Sequence, residues 1–275
     1  MEQVAFITGA SRGIGRATAI AFARAGFNLA LSARTLEEGE AHRHSIRNAA
    51  GRSLSGSLNG TAEQARRYGV EVQVVPMDLL DPDSVETAVS RVLAHYGHVD
   101  VLINNAIYQG ADLNAALLDL QQETLQRMAQ GYVLAPVQIT RQVLRSMLQR
   151  HHGCIINITS GAGESDPPVA ARDGGWGYAY GAGKAAVSRL AGIIAREHGD
   201  QGIRAFTVNP GVVNTETLRA TIGEKGVLAM RKGVAQPELP AAVLLWLATA
   251  PEAADFQYQT IQAQPFAHEH AIQAE

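Results

Sequence analysis

The 275-residue chain has one cysteine, Cys154, so no internal disulfide can brace it, and its position in the apolar run CIINIT makes the sulfur core filling. No apolar stretch approaches the ~18 residues of a membrane span, and the opening MEQVAFITGA has neither the basic flank nor the apolar core of an export signal. A soluble cytoplasmic protein is expected. Excess charge of one sign is also missing. A net charge of −3 and a pI near 6.3 leave no electrostatic footprint for nucleic acid or an anionic membrane. A small-molecule substrate is the default. The nine histidines, grouped as HRH, HH and HEH, lack the H-x-x-x-H spacing with carboxylate support that zinc favours, and no metal site is expected. No repeat or low-complexity tract occurs.

What is present is an apolar content of 46%, ample for a sizeable core, in a length that suits one domain. Six β-rich runs, VAFIT, NLALSA, VEVQVVP, VDVLIN, CIINIT and IRAFTVN, read as strands, with YQTIQA a weaker seventh. Helix-length segments separate them. The alternation predicts an α/β fold over residues 1–275: a single Rossmann-like domain whose doubly wound, mostly parallel sheet of about seven strands carries helices on both faces. Gly26 marks one helix end and Asp81-Pro82 opens another helix with a cap and a first-turn proline. Two segments read as insertions: residues 48–64, a surface excursion in the second crossover, and residues 161–177, either a lid or an ordinary polar loop. The tail QPFAHEHAIQAE is expected to be loose or docked on a neighbour.

Directly after the first strand comes TGASRGIG, with Gly9, Gly13 and Gly15 at a strand-to-helix turn. Glycines there allow a tight bend, close approach of backbone to a pyrophosphate, and an anion on a helix N-terminus. Farther on, GYAYGAGKAAVSRLAG offers a second constellation. Tyr180 and Lys184, four apart, share a helix face, whereas Tyr178 lies about 240° around from Lys184 at 3.6 residues per turn. An ammonium at ~4 Å in an effective dielectric of ~20 favours phenolate by up to roughly 4 kcal/mol, about three pKa units, which is the scale needed for acid/base work near neutrality.

Taken with NNA after strand four, TS after strand five and NPGVVNT after strand six, the chain resembles the short-chain dehydrogenase/reductase family over essentially its whole length. The resemblance implies NAD(P)-dependent interconversion of a secondary alcohol and a carbonyl. Tyr180 would be the acid/base, Ser160 would hydrogen-bond the reacting oxygen, and Lys184 would hold the nicotinamide ribose while lowering the tyrosine pKa. The implied cofactor contacts are Gly9, Ser11, Arg12, Gly13, Ile14 and Gly15 in the glycine turn, Arg34, Asp78 and Leu79, Asn105 and Ala106, Tyr180 and Lys184, and Pro210, Gly211, Val213 and Thr215. Asn104 would brace the sheet. NAD-specific relatives carry a carboxylate at the end of strand two, where this chain has Ala33-Arg34, and Arg12 adds a second cation, so NADP(H) is expected over NAD(H). Two long helical segments, around 121–150 and 178–198, occupy the positions through which family members pair, which predicts a homo-oligomer, tetramer or dimer.

Three positions depart from the family pattern. Tyr132 stands where an asparagine normally holds a water linking the lysine to solvent; the tyrosine hydroxyl would have to hold that water instead, or Gln130 if the helix is irregular there. Ile107 replaces the glycine that usually follows NNA, and the family's Gly-rich terminal sequence is missing around QYQTIQAQPF. These departures keep open a second class, a nucleotide-binding sensor or scaffold with little turnover. The substrate-loop position, TLRATIGEKGVLAMRKG from Thr217 onward, suggests an amphipathic alcohol or ketone.

Overall fold

A computed structural model describes residues 2–221 and 233–274. Nine strands occur among them: β1 (Val4–Thr8), β2 (Asn28–Ala33), β3 (Val72–Pro76), β4 (Val101–Asn104), β5 (Gly153–Ile158), β6 (Ile203–Asn209), β7 (Val212–Val213), β8 (Val234–Ala235) and β9 (Thr260–Gln262). Seven form one sheet in the order β3-β2-β1-β4-β5-β6-β9, with every pairing parallel. The two-residue strands β7 and β8 pair separately. The strand order reverses direction between β1 and β4, and the crevice at such a switch point is where open α/β sheets bind ligands.

Helices α1 (Gly13–Arg24), α2 (Leu58–Arg66), α3 (Pro82–Tyr96), α4 (Gln122–Met128), α5 (Ala135–Arg150), α6 (Tyr178–His198), α7 (Glu238–Thr249) and α8 (Ala263–Glu269) flank the sheet. Side-chain alternation sorts them. Ala5 and Ile7 of β1 point into a core shared with α1, α2, α7 and α8, while Phe6 points into a second core with α3, α5 and α6. Because both faces are covered, the strands read as unbroken apolar runs. Local chemistry sets the helix ends as the sequence predicts: Gly26 follows α1 at φ +87°, and the Asp81 carboxylate accepts from the Asp83 and Ser84 amides ahead of Pro82. None of the described helices is long and apolar enough to cross a membrane.

Three expectations need correction. Residues 58–64 are not an excursion, because Ser57 caps α2 by accepting from Gly60 N and the helix starts at Leu58; the irregular stretch is 34–57. The segment expected as one long helix around 121–150 is interrupted between α4 and α5 by a π-helical turn, Ala129–Leu134. The tail is not loose, because it packs on this chain's own core. Ala263, Phe266 and Ala267 recur at helical spacing and bury against the core, and Phe266 joins Trp246, Phe256 and His270 with ring centroids 5.4, 5.0 and 4.2 Å away.

Candidate active site

The glycine turn leaves β1 at the switch point. Gly9 and Gly13 take φ of +71° and +53°, a region side chains avoid, and a Cβ on Gly15 would collide with the Gly9 carbonyl. The end of β4 is stitched to this turn: Asn105 Nδ2 donates to the Thr8 carbonyl at 2.9 Å, and the Asn105 and Ala106 amides both donate to Thr8 Oγ1 at 3.0 Å. Thr215 closes over Gly13 from the opposite side, its Cγ2 3.1 Å from where a Cβ would sit. Arg12 occupies the N-cap of α1 without capping it through its side chain. The first-turn amides of a 12-residue helix thus face the crevice at its positive end, which suits a pyrophosphate. Ser11 is buried and Ile14 packs on the core beneath.

The remaining implied contacts are distributed around this crevice. Asp78 turns its carboxylate onto its own loop, accepting from Leu80 N at 3.0 Å, and the buried Leu79 offers its carbonyl to Gln130 Nε2 at 3.0 Å. Asn104 braces the sheet as expected, donating to Thr140 Oγ1 and Asn157 Oδ1 at 2.9 Å each. After β6, the Gly211 amide is held by Asn209 Oδ1. Gln264 Nε2 clamps the Pro210 and Val212 carbonyls at 3.2 and 3.0 Å, and Val213 lies in β7. Gln264 carries no sequence signal for this role, since the contact spans 54 residues.

Ser160 follows β5, and Tyr180 and Lys184 stand on α6 beside it. Ser160 Oγ accepts from Ala162 N at 3.3 Å, and Ser160 lies close enough to Tyr180 to favour its phenolate. Lys184 is 4% exposed, and its Nζ donates to the Ile158 carbonyl at 2.9 Å. Tyr178 is 60% exposed, whereas Tyr180 is half-buried, so the helical spacing separates the two tyrosines as predicted. The electrostatics differ from expectation. Burial pushes the Tyr180 phenol up, and neighbouring Ser160 offsets this only in part. Burial pulls the Lys184 ammonium down to about 7. Desolvation dominates the shift of both groups.

Residues that sequence reasoning missed fix the start of α6. Gly177, its N-cap, has no capping side chain of its own; Asn114 Oδ1 accepts from Gly177 N at 3.0 Å, and the Leu113 carbonyl accepts from Tyr180 N at 3.3 Å. The approach is close enough that a Cβ on Gly177 would lie 2.7 Å from the Ala115 carbonyl. Next to Asn114, Asp112 accepts from Tyr108, Thr124 and Arg127. Burial opposes its charge, yet these bonds together hold its pKa down to about 2. Ile107 packs against the Tyr108–Leu113–Tyr132 cluster.

The stretch 34–57 engages both Arg12 and Arg34. Arg12 donates to the Ser55, Leu54 and Gly56 carbonyls at 2.8, 3.3 and 3.1 Å; Arg34 donates to the Arg43 carbonyl and Ser45 Oγ at 3.2 and 3.0 Å. At Tyr132 the helix is irregular, the condition under which Gln130 would take over. Gln130 is instead committed to Leu79, and the buried Tyr132 hydroxyl has no partner among the described residues. The 161–177 segment forms two short 3-10 turns with residues 164–170 exposed, and Glu164 accepts from Gln262 at 2.9 Å. Residues 222–232 of the substrate-loop position lie outside the described residues.

Comparison with known proteins decides the family. The family model described as short chain dehydrogenase matches residues 3–56 and 50–225. The chain belongs to the short chain dehydrogenase family. A short chain dehydrogenase of Monascus purpureus is 32% identical over 248 residues, covering 88% of this chain and 74% of that one. A 3-oxoacyl-[acyl-carrier-protein] reductase of Synechocystis is 31% identical over 261 residues, 94% of each chain. Among solved structures, L-sorbose reductase from Gluconobacter frateurii, complexed with NADPH and L-sorbose, superposes with a TM-score of 0.75 at 26% identity, covering 95% of this chain and 94% of that one. A Mycobacterium paratuberculosis short chain dehydrogenase bound to NAD gives 0.76 at 25% identity, covering 95% and 96%. This short chain dehydrogenase is thus an oxidoreductase with the family's seven-stranded sheet.

Proposed function

We propose that the chain interconverts a secondary alcohol and a carbonyl with a nicotinamide cofactor, using Tyr180 as acid/base. The observation that carries this reading is the placement of Tyr180 and Lys184 on α6 beside Ser160 at the carboxyl end of β5, with Lys184 Nζ bonded to the carbonyl of Ile158, the last residue of that strand. The cofactor, when bound, supplies or accepts the hydride. In the reducing direction Tyr180 gives its proton to the oxygen of the carbonyl, and Ser160 donates a hydrogen bond to the same oxygen as negative charge develops. Lys184, held by the Ile158 carbonyl, would offer its ammonium to the ribose hydroxyls of the cofactor and to the phenol. A phenol raised by burial suits the proton-giving direction near neutral pH. Asn105, Ala106, Gly211 and Thr215 border the crevice in which the cofactor would lie.

NADP(H) is the proposed cofactor. Ala33 ends β2 without a carboxylate, and among the described residues the hydrogen bonds of Arg34 and Arg12 go to neutral oxygens. A 2′-phosphate would exchange these for charge-assisted bonds, which are roughly twice as strong. The substrate is a small alcohol or ketone, and the protein self-associates as a dimer or tetramer. Tyr180→Phe tests the core of the reading: turnover of NADPH with a responsive carbonyl should fall ~10²-fold or more with fold and NADPH affinity kept, while Tyr178→Phe changes turnover little. Retention of more than about a tenth of wild-type turnover by Tyr180→Phe would overturn it.

A further inference from the structure

Tyr132 is built into the floor beneath the proposed catalytic pair. The π-helical turn Ala129–Leu134 inserts it inward, leaving it 1% exposed. Two glycines make room. A Cβ on Gly183, the residue just before Lys184, would lie 2.7 Å from the Tyr132 ring carbons Cγ and Cδ1, and one on Gly131 would lie 2.6 Å from the Tyr108 Cβ. The ring centroid is 6.0 Å from Lys184 Nζ, within cation–π range, and 6.4 Å from the Tyr180 ring in an edge-to-face arrangement at 90°. The hydroxyl, by contrast, has no partner among the described residues, and neighbouring Gln130 is turned to Leu79. Ring and hydroxyl therefore have different standing: the ring lies beside both reactive groups, whereas the hydroxyl has no partner among the described residues.

We propose that Tyr132 is a positioning residue whose ring walls Lys184 off from water, holding its ammonium against the Ile158 carbonyl, and whose hydroxyl takes no part in proton transfer. The proposal rests on the catalytic reading of Tyr180 and Lys184 given above. Of the three side chains only Tyr180 reaches solvent, since Lys184 and Tyr132 are 4% and 1% exposed. Each reduction moves one proton from the Tyr180 oxygen to the product oxygen. With Lys184 and Tyr132 buried, the replacement proton reaches the partly exposed Tyr180 from solvent after product departs, and not through Lys184. The titratable groups facing this floor are Tyr180 and Lys184 from α6, Tyr132 from the π-helical turn, and Tyr108 from the segment after β4, which is itself tied to Asp112 and Arg127.

The chain has three lysines, Lys184, Lys225 and Lys232, so 13C-labelled lysine gives a titration of Lys184 that is read independently of turnover. Tyr132→Phe should leave Lys184 titration and kcat within about twofold of wild type, whereas Tyr132→Leu should admit water and raise the Lys184 midpoint by at least about one unit. A tenfold or larger loss of kcat in Tyr132→Phe would overturn the proposal, because the hydroxyl would then be needed. An unmoved Lys184 midpoint in Tyr132→Leu would also overturn it. If the leucine variant does not fold, Gly183→Ala, which forces the ring from its place, is read by the same shift and the same criterion. Tyr180→Phe run alongside keeps the outcomes separable: undiminished turnover there would fail the catalytic reading while the lysine titration still judges the wall.

Discussion

Replacing Lys184 by methionine should stabilise the cofactor-free protein at neutral pH while disabling it. Lys184 is 4% exposed, and burial lowers its pKa from 10.5 to about 7. A depression of about 3.5 units at about 1.4 kcal/mol each sets a ceiling of about 5 kcal/mol on the cost of keeping that charge inside. Methionine has similar volume and no charge, but it leaves the Ile158 carbonyl without its 2.9 Å donor, a loss of about 1–3 kcal/mol. The net gain expected at pH 6.5 is about 2–4 kcal/mol. The sign with pH follows from proton counting. Between pH 7 and 10.5 the unfolded chain binds more protons at this site than the folded one, so wild-type stability from this site rises with pH and is complete above the unfolded value. The advantage of Lys184→Met should therefore be largest below pH 7, shrink through pH 8.5, and become a small deficit near pH 10.5. Urea unfolding of both proteins at pH 6.5, 8.5 and 10 measures it. A gap that does not change with pH, or a methionine variant less stable than wild type at pH 6.5, would show that Lys184 is not a costly buried cation.

Three further outcomes are expected. Arg34→Ala should weaken NADPH at least ~10-fold, about 1.4 kcal/mol, and NADH less than ~2-fold, as read by dissociation constants; equal losses for the two nucleotides defeat the 2′-phosphate assignment. Asn114→Ala should cost ~1 kcal/mol as the loss of a helix cap and cut kcat several-fold without moving NADPH affinity. Asn114→Asp, which keeps an acceptor for Gly177 N, should restore kcat, and a failure to rescue would remove Asn114 from the positioning of Tyr180. Light scattering at micromolar concentration should give a mass above the 29.2 kDa of one chain, and a purely monomeric signal rules out self-association.

The parts of the fold that were legible are those in which local sequence carries the physics. All seven sheet strands were readable because each is a continuous β-rich run, and Asp81-Pro82 and Gly26 mark helix ends through backbone chemistry of their own. The glycine turn and the Tyr180–Lys184 pair were readable for the same reason, since spacing alone puts their atoms together. Long-range contacts left no such trace. Asn114 caps a residue 63 positions away, and Arg12 reaches carbonyls 42 to 44 positions away, so neither could be seen in a window of sequence. The π-helical turn had a weak signal in Pro136, which lacks an amide to continue the helical ladder just after it. Desolvation was the largest miss: spacing gives the separation of a phenol and an ammonium but not how dry their surroundings are, and here the dryness sets both shifts.

The fit of Gly183 under the Tyr132 ring bears on how this enzyme can change. Any side chain at 183 meets the ring at 2.7 Å, so every single substitution there will score as damaging and the position will look immutable in a one-site scan. The constraint belongs to the pair. Once Tyr132 has been replaced by a smaller residue, position 183 is released, and the combined change will be far less harmful than the two effects added together. A directed-evolution path through this floor therefore has an obligatory order, 132 first and 183 second, and libraries that vary the two positions separately will never sample it.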